Sequence, residues 1–157
     1  MPKITPFLWF NDKAEEAMDF YTSIFKNSKI GTIARSGEDD QGTNSTVMSV
    51  TFQLNGQDFI ALNGGPIFTF SPAISFFVNC ETQVEVDELW EKLSEGGEKQ
   101  QCGWLKDKFG ITWQIVPSIL GELLQDKDAE KSRRVMNAML QMGKLDIEGL
   151  KKAYAQA

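Results

Sequence analysis

The sequence predicts an α+β fold made of two tandem βαβββ units followed by a helical C-terminal tail. The order strand, helix, strand, strand, strand occurs twice along the chain. The composition then changes after Pro117, because residues 118–157 contain a single aromatic residue. We therefore expect the first unit at 1–65, the second at 66–120 and the tail at 121–157.

The first unit opens with a strand and a helix. Residues 4–10 form a short apolar and aromatic run that is typical of a buried strand. Asp12 and Glu15 have the spacing of a capping box, which predicts that a helix begins there. The apolar residues that follow at helical spacing are Ala14, Ala17, Met18, Tyr21 and Phe25.

Three strands complete the first unit. They are predicted at residues 29–35, 46–54 and 57–62, and the polar segment 36–45 is predicted to be a loop. Asn55-Gly56 separates the last two strands, and this dipeptide is the strongest short signal for a β-hairpin.

The second unit repeats the pattern. Residues 73–79 resemble a strand, and Thr82 with Glu85 predicts the start of a helix that ends near Gly96-Gly97. The remaining strand-like segments are residues 98–102, 104–108 and 111–116.

Matched positions support a duplication. An offset of 70 residues pairs Ile4 with Ile74 and Phe7 with Phe77, and an offset of 54 pairs Gly56 with Gly110 and Phe59 with Trp113. Identity between the units is low, so the duplication is inferred from the order of elements and from matched burial.

The tail has the pattern of three helices. They are expected from Ser118, over residues 129–142 up to Gly143, and after a capping Asp146. One predicted helix face carries Val135, Met136, Met139 and Met142. Such a stripe suits either packing within the chain or an adaptable contact with a partner.

Composition excludes several classes of protein. Lys and Arg number 16 against 22 Asp and Glu, a net charge of −6, so we expect no nucleic-acid partner. No apolar run reaches the roughly 18 residues of a membrane span. We expect no membrane association, no signal peptide and a cytoplasmic location. The sequence has no histidine, which removes the usual general base and the commonest metal ligand.

Two segments carry a family resemblance. FLWFNDKAEEAMDFYTSIF (7–25) and CGWLKDKFGITWQIVP (102–117) resemble the PhnB-like, demethylubiquinone methyltransferase-like branch of the vicinal oxygen chelate superfamily. That superfamily includes glyoxalases, extradiol dioxygenases, and fosfomycin and bleomycin resistance proteins. The resemblance implies that each unit curls its mixed sheet into a half-barrel, that the concave faces enclose a site, and that the protein is a homodimer.

The resemblance also implies where metal ligands would lie. The matching positions are Thr5, Ile60 or Ala61, Ala73 and Gln114, and none is a histidine or a carboxylate. Divalent ions need charged or imidazole donors. We therefore expect no metal and no cofactor.

Strand alternation from position 73 and the repeat predict the residues that line the site. They are Thr5, Phe7, Trp9, Ile60, Leu62, Ser75, Phe77, Asn79, Thr112, Gln114 and Val116, and Trp104 joins them from the second motif. An aromatic, mostly neutral set suits a flat apolar or amphipathic small-molecule ligand. The alternative is that these aromatic residues only fill a small barrel.

Three residues have two interpretations each. Gln114 either orients a ligand or is a structural amide. Asp107 either organises a turn or acts as a general base. Cys80 is either a small apolar core residue or a nucleophile, although the chain has no histidine to activate it.

The leading functional hypothesis is a metal-independent protein that binds a small apolar or amphipathic molecule. One alternative is an enzyme of unknown substrate, either of the glyoxalase/dioxygenase superfamily or demethylubiquinone methyltransferase-like. Another alternative is an interaction module that binds a partner through its helical tail. Binding of S-adenosylmethionine usually needs a glycine-rich turn before a helix in a parallel sheet. Gly64-Gly65 and Gly96-Gly97 are not followed by such a helix.

Overall fold

The first unit, Met1–Phe70, contains a four-stranded mixed sheet and one helix. The structure, a computed structural model, describes residues 3–36 and 46–156, so most of the predicted loop lies outside the described residues. The strand order is β1-β4-β3-β2, with β1 parallel to β4 and the other neighbours antiparallel. The elements are β1 (Phe7–Phe10), α1 (Ala14–Ile24), β2 (Ser28–Arg35), β3 (Val47–Leu54) and β4 (Gln57–Asn63).

Helix α1 covers one face of this sheet. Along β3, Val50, Phe52 and Leu54 are buried, and the residues between them are only half-buried. Ala17 and Tyr21 of α1 are buried as well. Because side chains alternate between the faces of a strand, the buried set faces α1 and the intervening set lies on the opposite face.

The hairpin between β3 and β4 forms as the sequence predicts. Asn55 has φ 50° and Gly56 has φ 84°, so two successive residues adopt the left-handed conformation. Two such residues make the turn whose twist matches that of the flanking strands. The hairpin prediction is therefore confirmed.

The predicted capping box of α1 is wrong. The N-cap residue is Lys13, and its side chain makes no capping hydrogen bond. The backbone N–H of Ala14 instead donates to Oδ1 of Asn63, at 2.8 Å. Asn63 pairs with Phe10 at the end of β1, which brings its amide to the start of the helix. This cap comes from 49 residues away, so no local pattern could reveal it.

The second unit, Ser71–Ala157, repeats the same topology. Its strand order is β5-β8-β7-β6, again with the first and fourth strands parallel, which confirms the predicted repeat of βαβββ units. Oγ1 of Thr82 accepts a hydrogen bond from the N–H of Glu85, as the capping pattern predicts. The elements are β5 (Ser75–Cys80), α2 (Gln83–Ser94), β6 (Glu98–Lys99), β7 (Trp104–Lys106) and β8 (Thr112–Pro117).

The tail forms three helices within the second unit. They are α3 (Ser118–Leu124), α4 (Ala129–Leu140) and α5 (Ile147–Ala155). The side chain of Asp146 caps α5, as predicted. Within the described part of the chain, no helix is long and apolar enough to span a membrane.

The tail has a core of its own. The buried residues that form it are Val116, Leu120, Val135, Leu145 and Leu150, and Met139 and Met142 pack against them. Three of the four stripe residues, Val135, Met139 and Met142, therefore serve packing inside the chain, and Met136 is 39% exposed. The prediction that Val116 lines the ligand site is wrong. Val116 belongs to this core, because the helices of the tail pack against the end of β8.

Candidate functional site

One face of the second sheet groups several predicted site residues. Gln114 on β8 is paired directly with Phe77 on β5 and with Trp104 on β7. Directly paired residues on neighbouring strands point to the same side of a sheet. Phe77 is 61% exposed, and Trp104 is half-buried. An amide therefore lies between two aromatic residues on the face opposite α2.

The amide of Gln114 is held in place by a neighbour. Its Nε2 donates a hydrogen bond to Oγ of Ser75, at 2.9 Å. Among the described residues, Oε1 of Gln114 receives no hydrogen bond from the protein. The geometry is consistent with both interpretations of this residue, a structural amide through Nε2 and an acceptor for a ligand through Oε1.

Lys106 shares this face and was missed by the sequence reasoning. It follows Trp104 by two positions and pairs with Thr112. Lys106 is exposed, whereas Thr112 is 2% exposed. The alternation of side chains along a strand, which predicted Gln114, could also have identified Lys106. This lysine adds a positive charge to a face that was predicted to be neutral.

Asp107 organises a turn. It is 2% exposed, and its Oδ1 accepts hydrogen bonds from the backbone N–H groups of Phe109 and Ile111, at 2.9 and 3.0 Å. Its Oδ2 accepts from Nε1 of Trp113, at 2.9 Å. A buried carboxyl group with these partners supports the turn interpretation over a general base.

Cys80 has the environment of an inert thiol. It is fully buried at the end of β5. Burial, followed by the nearby carboxylate of Glu85, raises the pKa of the Cys80 thiol to about 12. The thiolate is the nucleophilic form, so this side chain fits the core interpretation.

The equivalent face of the first sheet carries four predicted site residues. Phe7 pairs with Ile60 and Trp9 pairs with Leu62, between the parallel strands β1 and β4. Phe7 is 56% exposed, close to the exposure of its counterpart Phe77. Ala61, the alternative to Ile60, is fully buried and lies on the α1 side.

The segment after β4 packs against Trp9. Nε1 of Trp9 donates to the carbonyl oxygen of Gly65, at 3.0 Å, and the ring of Phe68 meets the indole edge-on at 5.0 Å between centroids. A Cβ atom on Gly64 would lie 2.3 Å from the indole. The chain's own residues thus occupy the space around Trp9, which supports the filling interpretation at this position.

The positions implied for metal ligands do not suit a divalent ion. Oγ1 of Thr5 is buried without a hydrogen-bond partner among the described residues, and a neutral hydroxyl is a weak ligand. Ile60 and Ala73 have alkyl side chains, and the amide of Gln114 is bound to Ser75. Within residues 3–36 and 46–156, no group of three His, Cys, Asp or Glu side chains could hold a metal ion.

A surface pocket of about 560 Å³ lies elsewhere in the second unit, beside the end of α2. Its lining residues are Glu91, Lys92, Ser94, Glu95, Gly97 and Lys99. Lys99 forms an ion pair with Glu91, at 2.8 Å. The pocket contains none of the predicted site residues.

Comparison with known proteins identifies the family. The sequence model of the family described as 3-demethylubiquinone-9 3-methyltransferase matches residues 2–116. A PhnB protein from Bacillus cereus is 43% identical over 74% of this chain and 99% of its own, with a TM-score of 0.67. No curated protein matches the chain.

Two more distant structures share the fold. A protein from Pseudomonas aeruginosa is 19% identical over 74% of this chain and 98% of its own, with a TM-score of 0.61. A fosfomycin resistance protein from Listeria monocytogenes is 18% identical over 80% of this chain and 98% of its own, with a TM-score of 0.55. These two structures add only a shared fold. The family model and the 43% identity to the Bacillus cereus protein show that the chain belongs to the 3-demethylubiquinone-9 3-methyltransferase family, a PhnB-like branch of the vicinal oxygen chelate superfamily.

Proposed function

We propose that this protein binds a small apolar or amphipathic molecule without the help of a metal ion. The proposal depends chiefly on the amide of Gln114, which lies between two aromatic residues on an accessible sheet face. The residues proposed to contact the ligand are Thr5, Phe7, Trp9, Ile60, Leu62, Ser75, Phe77, Trp104 and Gln114.

Two interactions would hold such a ligand. A flat molecule that covers Phe77 removes an exposed aromatic side chain from water, and fully burying a side chain of this size is worth about 2 kcal/mol. A ligand N–H or O–H group that donates to Oε1 of Gln114 adds about 1 kcal/mol and fixes the orientation. Lys106 favours a ligand that also carries an acidic group at one end.

Metal independence is supported by the chemistry of the side chains at the implied ligand positions. Thr5, Ile60, Ala73 and Gln114 offer a hydroxyl, two alkyl groups and an amide. A structural or catalytic zinc ion is held by Cys, His or carboxylate ligands, and magnesium and calcium need carboxylates. Recognition then depends on apolar contact, on hydrogen bonding and on the charge of Lys106.

The test uses N-phenyl-1-naphthylamine, a neutral aromatic probe whose fluorescence rises in an apolar site. We expect saturable binding to the purified protein, and weaker binding to Trp104→Ala and Gln114→Ala. Gln57→Ala is the matched control, because Gln57 is an exposed glutamine on β4. Absence of saturable binding, or equal affinity in the Gln114 and Gln57 variants, would contradict the proposal.

Ser75→Ala separates the two roles of Gln114. It removes the partner of Nε2 and leaves Oε1 in the side chain. If the amide acts only structurally, Ser75→Ala and Gln114→Ala change stability similarly and leave probe affinity unchanged. If Oε1 contacts the ligand, Gln114→Ala weakens binding more than Ser75→Ala.

A methyltransferase of unknown substrate is the second candidate, because the family's description names that activity. Its donor would be S-adenosylmethionine. In the described part of the chain, helix α2 follows β5 through Glu81 and Thr82, without a glycine-rich turn. We expect no heat of binding when S-adenosylmethionine is titrated into the protein, and saturable binding would favour the enzyme.

We also propose that the protein is a homodimer. Large apolar side chains that are not proposed ligand residues remain exposed on each unit, among them Ile30 at 53%, Met48 at 48% and Ile74 at 76%. Exposed apolar groups near one another are typical of surfaces that bind a partner. Sedimentation equilibrium should give twice the chain mass of 17.6 kDa, and a monomer at all concentrations would contradict the proposal.

A further inference from the structure

The turn that leads into Trp104 is bonded to the tail. Cys102 and Gly103 have φ angles of 60° and 83°, so two successive residues adopt the left-handed conformation. The N–H of Cys102 donates to the carbonyl oxygen of Met142, and the N–H of Gly103 donates to that of Gly143, both at 2.8 Å. The tail therefore accepts the two backbone donors that directly precede β7.

Side-chain packing reinforces this contact. A Cβ atom on Gly103 would lie 3.0 Å from the side chain of Leu145, so the turn and this leucine touch. Leu145 is fully buried in the core of the tail. The turn is also bonded to β8, the strand that carries Gln114, because the N–H of Ile115 donates to the carbonyl oxygen of Gly103, at 2.8 Å.

Helix α2 is also bonded to the tail, at residues 144–147. Nε2 of Gln83 donates to the carbonyl oxygen of Leu145, and Oε1 of Gln83 accepts from the N–H of Ile147, at 3.0 and 2.7 Å. Lys144 and Asp87 form an ion pair at 2.9 Å. Residues 142–147, here named the connector, are thus fixed to α2 and to the turn before Trp104.

The connector lies beyond residues 2–116, the part of the chain that the family model matches. The family match ends at residue 116, and the Bacillus cereus protein aligns with 74% of this chain while almost all of its own length is covered. The tail is therefore an addition to the matched part of the fold. Its backbone is also hydrogen-bonded to the two residues that precede Trp104.

We infer that the connector is a positioning element of the ligand site, with Leu145 and Gln83 as positioning residues that act through Trp104. This inference rests on the proposed function, since Trp104 is one of the residues proposed to contact the ligand. Leu145 fixes the turn, the turn fixes the start of β7, and β7 places the indole beside Gln114.

The test compares two leucines of the same core. Leu145→Ala removes the contact with Gly103, whereas Leu150→Ala creates a cavity in the same cluster, and both residues are fully buried. Both variants should lose similar stability in urea unfolding. Only Leu145→Ala should shift the indole N–H signal of Trp104 in nuclear magnetic resonance spectra and weaken N-phenyl-1-naphthylamine binding, by about fivefold.

Gln83→Ala is the milder variant, and it decides the question if Leu145→Ala does not fold. It should move the same indole signal without opening a core cavity. An unchanged Trp104 signal in both variants, or equal shifts in Leu145→Ala and Leu150→Ala, would overturn the inference. If the unmodified protein does not bind the probe, the proposed function fails, and the indole signal still decides whether the connector positions Trp104.

Discussion

Replacing Asp107 with alanine tests whether this residue is structural. The change removes the acceptor of two backbone N–H groups and one indole N–H group, on Phe109, Ile111 and Trp113. Each buried donor left without a partner costs about 1–3 kcal/mol. Local relaxation recovers part of this cost, so we expect the free energy of unfolding to fall by about 3–5 kcal/mol.

Asp107→Asn separates the backbone donors from the indole donor. The amide oxygen can still accept from Phe109 and Ile111, but the amide NH₂ group then faces Nε1–H of Trp113. The expected loss is smaller, about 1–2 kcal/mol. In a double-mutant cycle with Trp113→Phe, which removes the indole N–H, the two changes should show a coupling energy of about 1 kcal/mol.

The assay is urea unfolding followed by circular dichroism. Asp19→Ala is the control, because Asp19 is exposed on α1, and its effect should stay within about 0.5 kcal/mol. The structural assignment would be refuted if Asp107→Ala and Asp19→Ala unfold at the same urea concentration. It would also be refuted if Asp107→Asn keeps full stability and loses probe binding.

Three further predictions concern the second unit. Thr82→Ala removes the cap of α2 and should lower the free energy of unfolding by about 1 kcal/mol in the same assay. Gly97→Ala should destabilise the protein by more than about 1 kcal/mol, because its Cβ would overlap the carbonyl oxygen of Lys106. Gly121→Ala on α3 should stabilise the protein slightly, because no atom lies near the added Cβ, and equal effects of the two changes would contradict the packing around Gly97. When the native protein is treated with iodoacetamide at about pH 8, the partly exposed Cys102 should react and the buried Cys80 should not. The raised pKa of Cys80 keeps its thiol protonated until the pH approaches 12, so labelling of Cys80 detected by peptide mass spectrometry would contradict this prediction.

Features encoded by neighbouring residues could be predicted from the sequence. The hairpin at Asn55-Gly56 and the helix caps at Thr82 and Asp146 depend on residues a few positions apart, and the structure confirms them. The repeat was visible because each unit must bury the same strand faces against its own helix. These interactions leave a periodic pattern in the sequence.

Features that depend on distant residues could not be predicted. The cap of α1 comes from Asn63, and Trp9 is covered by the segment that contains Gly65. Val116 alternates correctly with Gln114, but the tail encloses it. Strand alternation identifies the face of a side chain and not what covers that face, so the ligand residues stay a prediction.

Native mass spectrometry of protein purified from its own host, combined with metal analysis, tests the central claim most directly. We expect a small organic molecule to be released on denaturation, and no zinc, nickel, iron or manganese at a stoichiometric level. The Gln114→Ala variant should retain less of that molecule. One tightly held metal ion per chain, lost together with ligand binding when a chelator is added, would contradict metal-independent binding.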